Sequence, residues 1–177
     1  MKMPQNLLKK TFFLFLLVFI SQSPLLYAQT AKADKQAEKT AMIKNLVDSQ
    51  RYVFKAQSAM PMSGRTRQLT SDYDLKVTHD QIVSYLPYFG RAYTAPIDPS
   101  QGGIQFTSKD FDYTVAPRKK GGWDVQIKPK DYRDVQQLSL NITETGYATL
   151  QVTSTSRQAI SFNGYITAIK PSKKKSN

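Results

Sequence analysis

The stretch "LSLNITETGYATLQV" (138–152) alternates twice. Leu138, Leu140 and Ile142 are separated by Ser139 and Asn141, and Ala148, Leu150 and Val152 alternate with Tyr147, Thr149 and Gln151. Between the two runs lies "ETG" (144–146). A period of two gives a strand with one apolar and one polar face, and a short glycine-containing break joins antiparallel neighbours. The stretch therefore reads as a β-hairpin with one face on a core.

The same period spreads in both directions. Downstream, Ile160, Phe162 and Ile166 continue it. Upstream, it recurs in Trp123, Val125 and Ile127, in Phe111, Tyr113 and Val115, in Tyr73, Leu75 and Val77, and in Tyr52 and Phe54. Short turn signals separate the runs: "THDQ" (78–81), "DPSQGG" (98–103), "RKKGG" (118–122), "DYRD" (131–134) and "STSR" (154–157). The pattern predicts a mainly β fold of about eight or nine strands. These form an antiparallel meander, closed as a lipocalin-like up-and-down barrel or left as a strongly curled sheet. A barrel of about eight strands is either filled by its side chains or opened into a small ligand cavity, and the sequence leaves both open.

Before the strands, "AKADKQAEKTAMIKNLVDSQ" (31–50) is rich in helix formers and sets Met42, Ile43, Leu46 and Val47 on one stripe. It predicts one amphipathic helix over one barrel opening. Further upstream, Lys2, Lys9 and Lys10 precede the apolar run Thr11 to Ile20 and the exit "SQSPLLYAQT". That is the pattern of a secretory signal peptide, cut after Ala28 or after Ala33. The run is half the length of a membrane-spanning helix, so no span is expected after processing.

The expected organisation is a signal peptide at 1–28, a helix and linker at 29–50, one β-barrel-like domain at 51–169, and a disordered basic tail at 170–177. Export across an inner membrane, with residence in the periplasm, follows. The formal charge of +12 falls by the leader's three lysines to +9, and Lys170, Lys173, Lys174 and Lys175 hold four of those. The folded body is only mildly basic, and no nucleic-acid motif accompanies it, so nucleic acid is not an expected partner. With no cysteine, disulfides and thiolate chemistry are excluded.

"SYLPYFGRAYTAP" (84–96) is dense in aromatics. Pro87 cannot donate to a ladder and Gly90 permits a bend, so a strand ends or bulges there. In one reading Tyr85 and Phe89 fill the end of the core while Arg91 stacks on Tyr88 or Tyr93. In the other, Tyr85, Tyr88, Phe89, Arg91 and Tyr93 line a pocket mouth with Trp123 in its wall, and Arg91 offers a planar fork to an anion.

The strings "YLPYFGRAY" (85–93), "GGIQF" (102–106), "GGWDVQIKPKD" (121–131) and "GYATLQVTSTSRQAISFNGYI" (146–166) resemble the family known as domain of unknown function 4251. The likeness runs from about Leu46 to Ile169, with "LPYFGRAY" its most specific part. It implies a small exported protein of the Bacteroidota with a lipocalin-type barrel. It brings no catalytic residues, only the signature positions Tyr85 to Arg91.

Catalysis has few parts to work with. His79 is the single histidine and sits in a turn-like stretch, which leaves neither a histidine pair for zinc nor a well-placed base. Asp72 with Asp74, and Asp110 with Asp112, share a polar strand face at a spacing that acid-base chemistry or a cation could use, but a solvated outer face explains them. No enzyme, metal or cofactor is expected. The expected function is binding: of a small apolar or amphiphilic ligand or an envelope component inside the barrel, or of an envelope partner outside a filled one.

Overall fold

The computed structural model describes the backbone of residues 23–93 and 102–170, with side chains from residue 33 onward. The apolar run of the expected leader, the "DPSQ" turn and the lysines after Lys170 lie outside the described residues.

Helix α1 runs Ser23–Asp48, starting earlier than the helix-former pattern suggested. Among the described residues no helix is long and apolar enough to cross a membrane. Ile43 and Val47 are buried and Leu46 half-buried, whereas Met42 is 52% exposed. The buried stripe is centred on the 43/47 line, about 100° around the helix from Met42, which corrects the stripe read from sequence. Gln50 ends the helix in the left-handed region at φ 52°. The Arg51 amide then donates to the Leu46 carbonyl at 3.1 Å, closing the C-terminus.

Another helix-end carbonyl is met by the sheet. The Tyr113 hydroxyl donates to the Val47 carbonyl at 3.1 Å, and the Tyr52 hydroxyl lies 3.4 Å from Tyr113. Since Tyr113 has spent its only proton, Tyr52 is the donor of that pair. Burial pushes Tyr113 up to about 12, and burial first, then Tyr113 itself, raises Tyr52 well above the phenol range. A phenol raised in the folded state adds stability that is whole below its unfolded pKa and is lost as pH rises through the folded one. Tyr113→Phe is thus expected to cost about 1 to 2 kcal/mol near neutral pH. It should also flatten the fall in unfolding free energy above pH ~10, read from denaturant titrations across alkaline pH.

The strands are β1 (Tyr52–Pro61), β2 (Arg67–Gln68), β3 (Asp74–Val77), β4 (Ile82–Leu86), β5 (Ile104–Ser108), β6 (Phe111–Pro117), β7 (Trp123–Pro129), β8 (Val135–Ile142), β9 (Tyr147–Ser154) and β10 (Ile160–Ala168). They pair in the order β5-β4-β3-β1-β10-β9-β8-β7-β6, with β2 beside β1, and among the described residues every ladder is antiparallel. Apart from the short β2 and the pair β5 and β6, chain neighbours are sheet neighbours, and β1 pairs with β10 as an up-and-down barrel requires. The opening lies between β5 and β6, which no ladder joins among the described residues. The sheet is nearly closed into a barrel, with its seam at the tightest turn of the chain.

Asp131 pins that seam. It accepts from the Ser108 hydroxyl at 2.5 Å and from the Lys109 amide at 2.8 Å, and these bonds hold its carboxyl below the usual range. The neighbouring Tyr132 ring stacks on Phe106 of β5 at 4.5 Å. The β7–β8 connection therefore covers an edge that would otherwise be bare.

The inward faces make one continuous core. Phe54, Leu75, Ile82, Ile127, Leu140, Leu150 and Phe162 each have 0% exposure, so no water-sized sphere fits against them. A hollow barrel would leave its lining accessible; this lining is not. Two inward assignments change. Tyr85 is 48% exposed because β4 turns Ile82, Ser84 and Leu86 inward. The Ser84 hydroxyl is satisfied there by the Ile104 carbonyl at 2.7 Å. Val115 is 38% exposed on β6, an edge strand whose only partner among the described residues is β7.

Candidate functional site

The aromatic corner exists because β4 must stop. Pro87 has no amide hydrogen, the ladder ends at Leu86, and the chain turns away. The Tyr88 hydroxyl, with one proton to share, lies 2.8 Å from the Arg91 carbonyl and 3.1 Å from that of Gln158. In return the Gln158 amide donates to the Arg91 carbonyl at 3.0 Å, and the Tyr93 amide to the Ser156 carbonyl at 2.7 Å. The corner is thereby strapped to the β9–β10 connection.

An arginine does lie over Tyr88, but it is Arg157, whose guanidinium carbon is 5.0 Å from the ring centroid. Arg157 also donates to the Gly103 carbonyl at 3.1 Å and pairs with Asp134 at 3.3 Å. Asp134 accepts from Ser154 at 2.9 Å and from Ser156. Burial pushes the Asp134 carboxyl up, yet the Ser156 and Ser154 hydroxyls and the Arg157 charge outweigh it and hold the group low. The Tyr88, Arg157, Asp134, Ser154 and Ser156 side chains all end on the protein itself, so the corner is a structural clamp, although the buried Gln158 side-chain oxygen in it has no partner among the described residues.

The six residues singled out from sequence fall in different places. Tyr88 sits half-buried in the clamp, and Phe89 lies under Arg67, 4.8 Å from centroid to guanidinium carbon. Arg91 is exposed and stacks on neither tyrosine, which corrects the expected contact; Arg157 occupies that position. Tyr93 is 70% exposed. Tyr85 stands on the outer wall against Tyr73, with ring centroids 5.6 Å apart. Trp123 is buried at the first residue of β7, beside the last of β8. That end of the barrel is opposite the corner, so no shared pocket mouth forms.

The outer wall carries a different constellation. Strand register aligns Tyr85, Asp74, Lys55, Tyr165 and Tyr147 in one transverse row across β4, β3, β1, β10 and β9. The Lys55 ammonium meets Asp74 at 2.7 Å in the middle of the row, and Asp74, first among its neighbours, raises the lysine's pKa. Beside it the β1–β3 connection overhangs the sheet and encloses a groove of about 710 Å³ floored by Lys55, Asp74, Lys76 and Tyr165. Sequence reading placed Tyr147 on the polar face of its strand but drew nothing from it. A large ring where the alternation calls for a polar residue was the available signal.

The family model described as domain of unknown function (DUF4251) matches residues 34–166. This chain belongs to the DUF4251 family. A search of curated proteins finds no match. The DUF4251 fold is also seen in the crystal structure, at 1.95 Å resolution, of a family protein from Bacteroides eggerthii DSM 20697. It is similar to this chain with TM-score 0.55 at 16% identity, over 75% of this chain and 91% of that one. At that identity the likeness speaks to the fold alone. Within this DUF4251 chain the matched region holds the whole clamp and the whole tyrosine row.

Proposed function

We propose that this DUF4251 protein is a non-catalytic recognition module of the bacterial cell envelope, whose barrel is a filled scaffold and whose partner meets the outer wall. The supporting observation is the contrast between the two faces. Inward side chains such as Phe162 and Leu150 have no accessible surface, while Tyr85, Tyr147 and Tyr165 stand on the outside with 48, 62 and 38% exposure. Tyrosines are among the rings that binding surfaces favour.

A non-catalytic role is favoured by the titratable groups. His79 stands exposed in the β3–β4 turn, Asp74 is engaged by Lys55, and Asp112 by Lys130 at 2.6 Å. Residence in the envelope rests on the leader-like N-terminus.

Native mass spectrometry of the protein recovered from its own cells tests the scaffold role. The expected result is the mass of the bare processed chain. A retained small apolar molecule would sink the filled-barrel reading and restore a carrier.

A further inference from the structure

The groove beside Lys55 does not stand alone. A second depression of about 290 Å³ shares Gln57, Tyr165 and Thr167 with it, and a third of about 350 Å³ shares Gln57 and Tyr147 with the second. Together they form one open trough along β1, β10 and β9, past the tyrosine row.

Gln57 belongs to all three depressions because of a backbone irregularity. The β1–β10 register slips between Ala56 and Ser58, a β-bulge that leaves Gln57 exposed and without a partner on β10, its carbonyl accepting instead from the Leu69 amide at 2.9 Å. Bulges re-aim side chains and recur beside binding sites. The partner strand makes room with Gly164, where a Cβ would lie 1.9 Å from the Lys55 carbonyl oxygen.

The lining selects a chemistry. Gln57, Gln68 and Asn163 supply amides, Thr149 and Thr167 hydroxyls, and Tyr147 and Tyr165 ring faces. The main groove sets three lysines against two aspartates, with Lys55 already held by Asp74, and the two smaller depressions add Lys39 and Arg118, the latter held by Asp124 at 3.3 Å. An apolar ligand would cover the exposed Gln57 and Gln68 amides without giving them partners, and a strongly anionic one would meet Asp72 and Asp74 in the main groove. An extended peptide that binds by strand addition needs a free sheet edge, and β10 is paired on both sides, with β1 and with β9. A pyranose chain needs what is present: rings for its C–H faces and amides for its hydroxyls.

We propose that this trough binds a linear, neutral, polyhydroxylated chain, an oligosaccharide stretch of an envelope or extracellular polysaccharide. The proposal rests on the outer-wall reading above and names the partner class for that wall.

The test is an amide-resolved NMR titration of the purified protein with soluble neutral hexasaccharides (malto-, cello-, manno- and chitohexaose) in parallel with a hexapeptide of Ala and Ser and with dodecanoate. The expected result is that at least one saccharide shifts resonances of Lys55, Gln57, Tyr147 and Tyr165. Tyr165→Ala and Gln57→Ala, both at exposed positions and with melting unchanged, should each weaken that binding about tenfold. The proposal is overturned if none of the four saccharides binds with a Kd below about 1 mM, if the shifts map to the Tyr88 clamp, or if only the peptide occupies the trough. Dodecanoate shifting Phe162 and Leu150 would overturn the filled scaffold as well. Its silence alongside negative saccharides would remove the ligand class alone.

Discussion

Phe162→Ala is expected to lose about 3 to 5 kcal/mol of unfolding free energy, the range for emptying a phenylalanine site in a packed core. Phe162 has 0% exposure and lies on β10, the strand that joins the two halves of the sheet, opposite Ala59 of β1 and Leu150 of β9. Whole domains are stable by only about 5 to 15 kcal/mol, so the loss is a large share of the total. In a chain of this size it should lower the melting temperature by roughly 6 to 20 °C. Calorimetry or urea unfolding measures it directly. A change below about 1 kcal/mol would mean that the barrel interior is loose, and the argument against an internal ligand would fall with it.

Gly164→Ala should be comparably damaging by the opposite route. Its added methyl would sit 1.9 Å from the Lys55 carbonyl oxygen and 3.1 Å from a ring carbon of Phe54. Backbone cannot rotate out of the way as a side chain can, so the cost belongs at or above the upper end of the overpacking range, about 3 kcal/mol. Relief would have to come from β1 and β10 moving apart at the bulge, which would pull Gln57 from the trough. Equilibrium unfolding, with the Gln57 side-chain amide followed by NMR, checks both halves. An alanine variant of native stability would mean that the two strands are not as close as described.

Much of the architecture was written in the alternation. Pairs such as Val125 with Leu140 and Leu140 with Leu150 face inward as the period of two requires, and the strand break at Pro87 lies where a missing amide hydrogen puts it. The phase of β4 was harder to see. Inward Ser84 is polar and outward Tyr85 is aromatic, so the residue types point the wrong way until the Ile104 carbonyl that satisfies Ser84 is known. The clamp was hidden for another reason. Arg91 is near Tyr88 in the chain, but Arg157 is near it in space, brought there by the β9–β10 connection. The tyrosine row could not be read at all without register, because its members come from five strands and no local pattern says which residue of β10 stands beside Lys55.

The seam between β5 and β6 has a consequence for how the chain finds this shape. Read from β6 to β10 and then from β1 to β5, omitting the short β2, the strands run in the order in which they lie in space. The chain starts this circle at β1, so each half of the sheet is built from hairpins, but the ladder between β1 and β10 must wait for a loop of roughly 100 residues to close. That one pairing dominates the contact order and makes joining the halves the slow step. The turn at Lys109 and Asp110 is thus the natural breakpoint for a circularly permuted chain, in which every ladder of the main path would form between strands consecutive in that path.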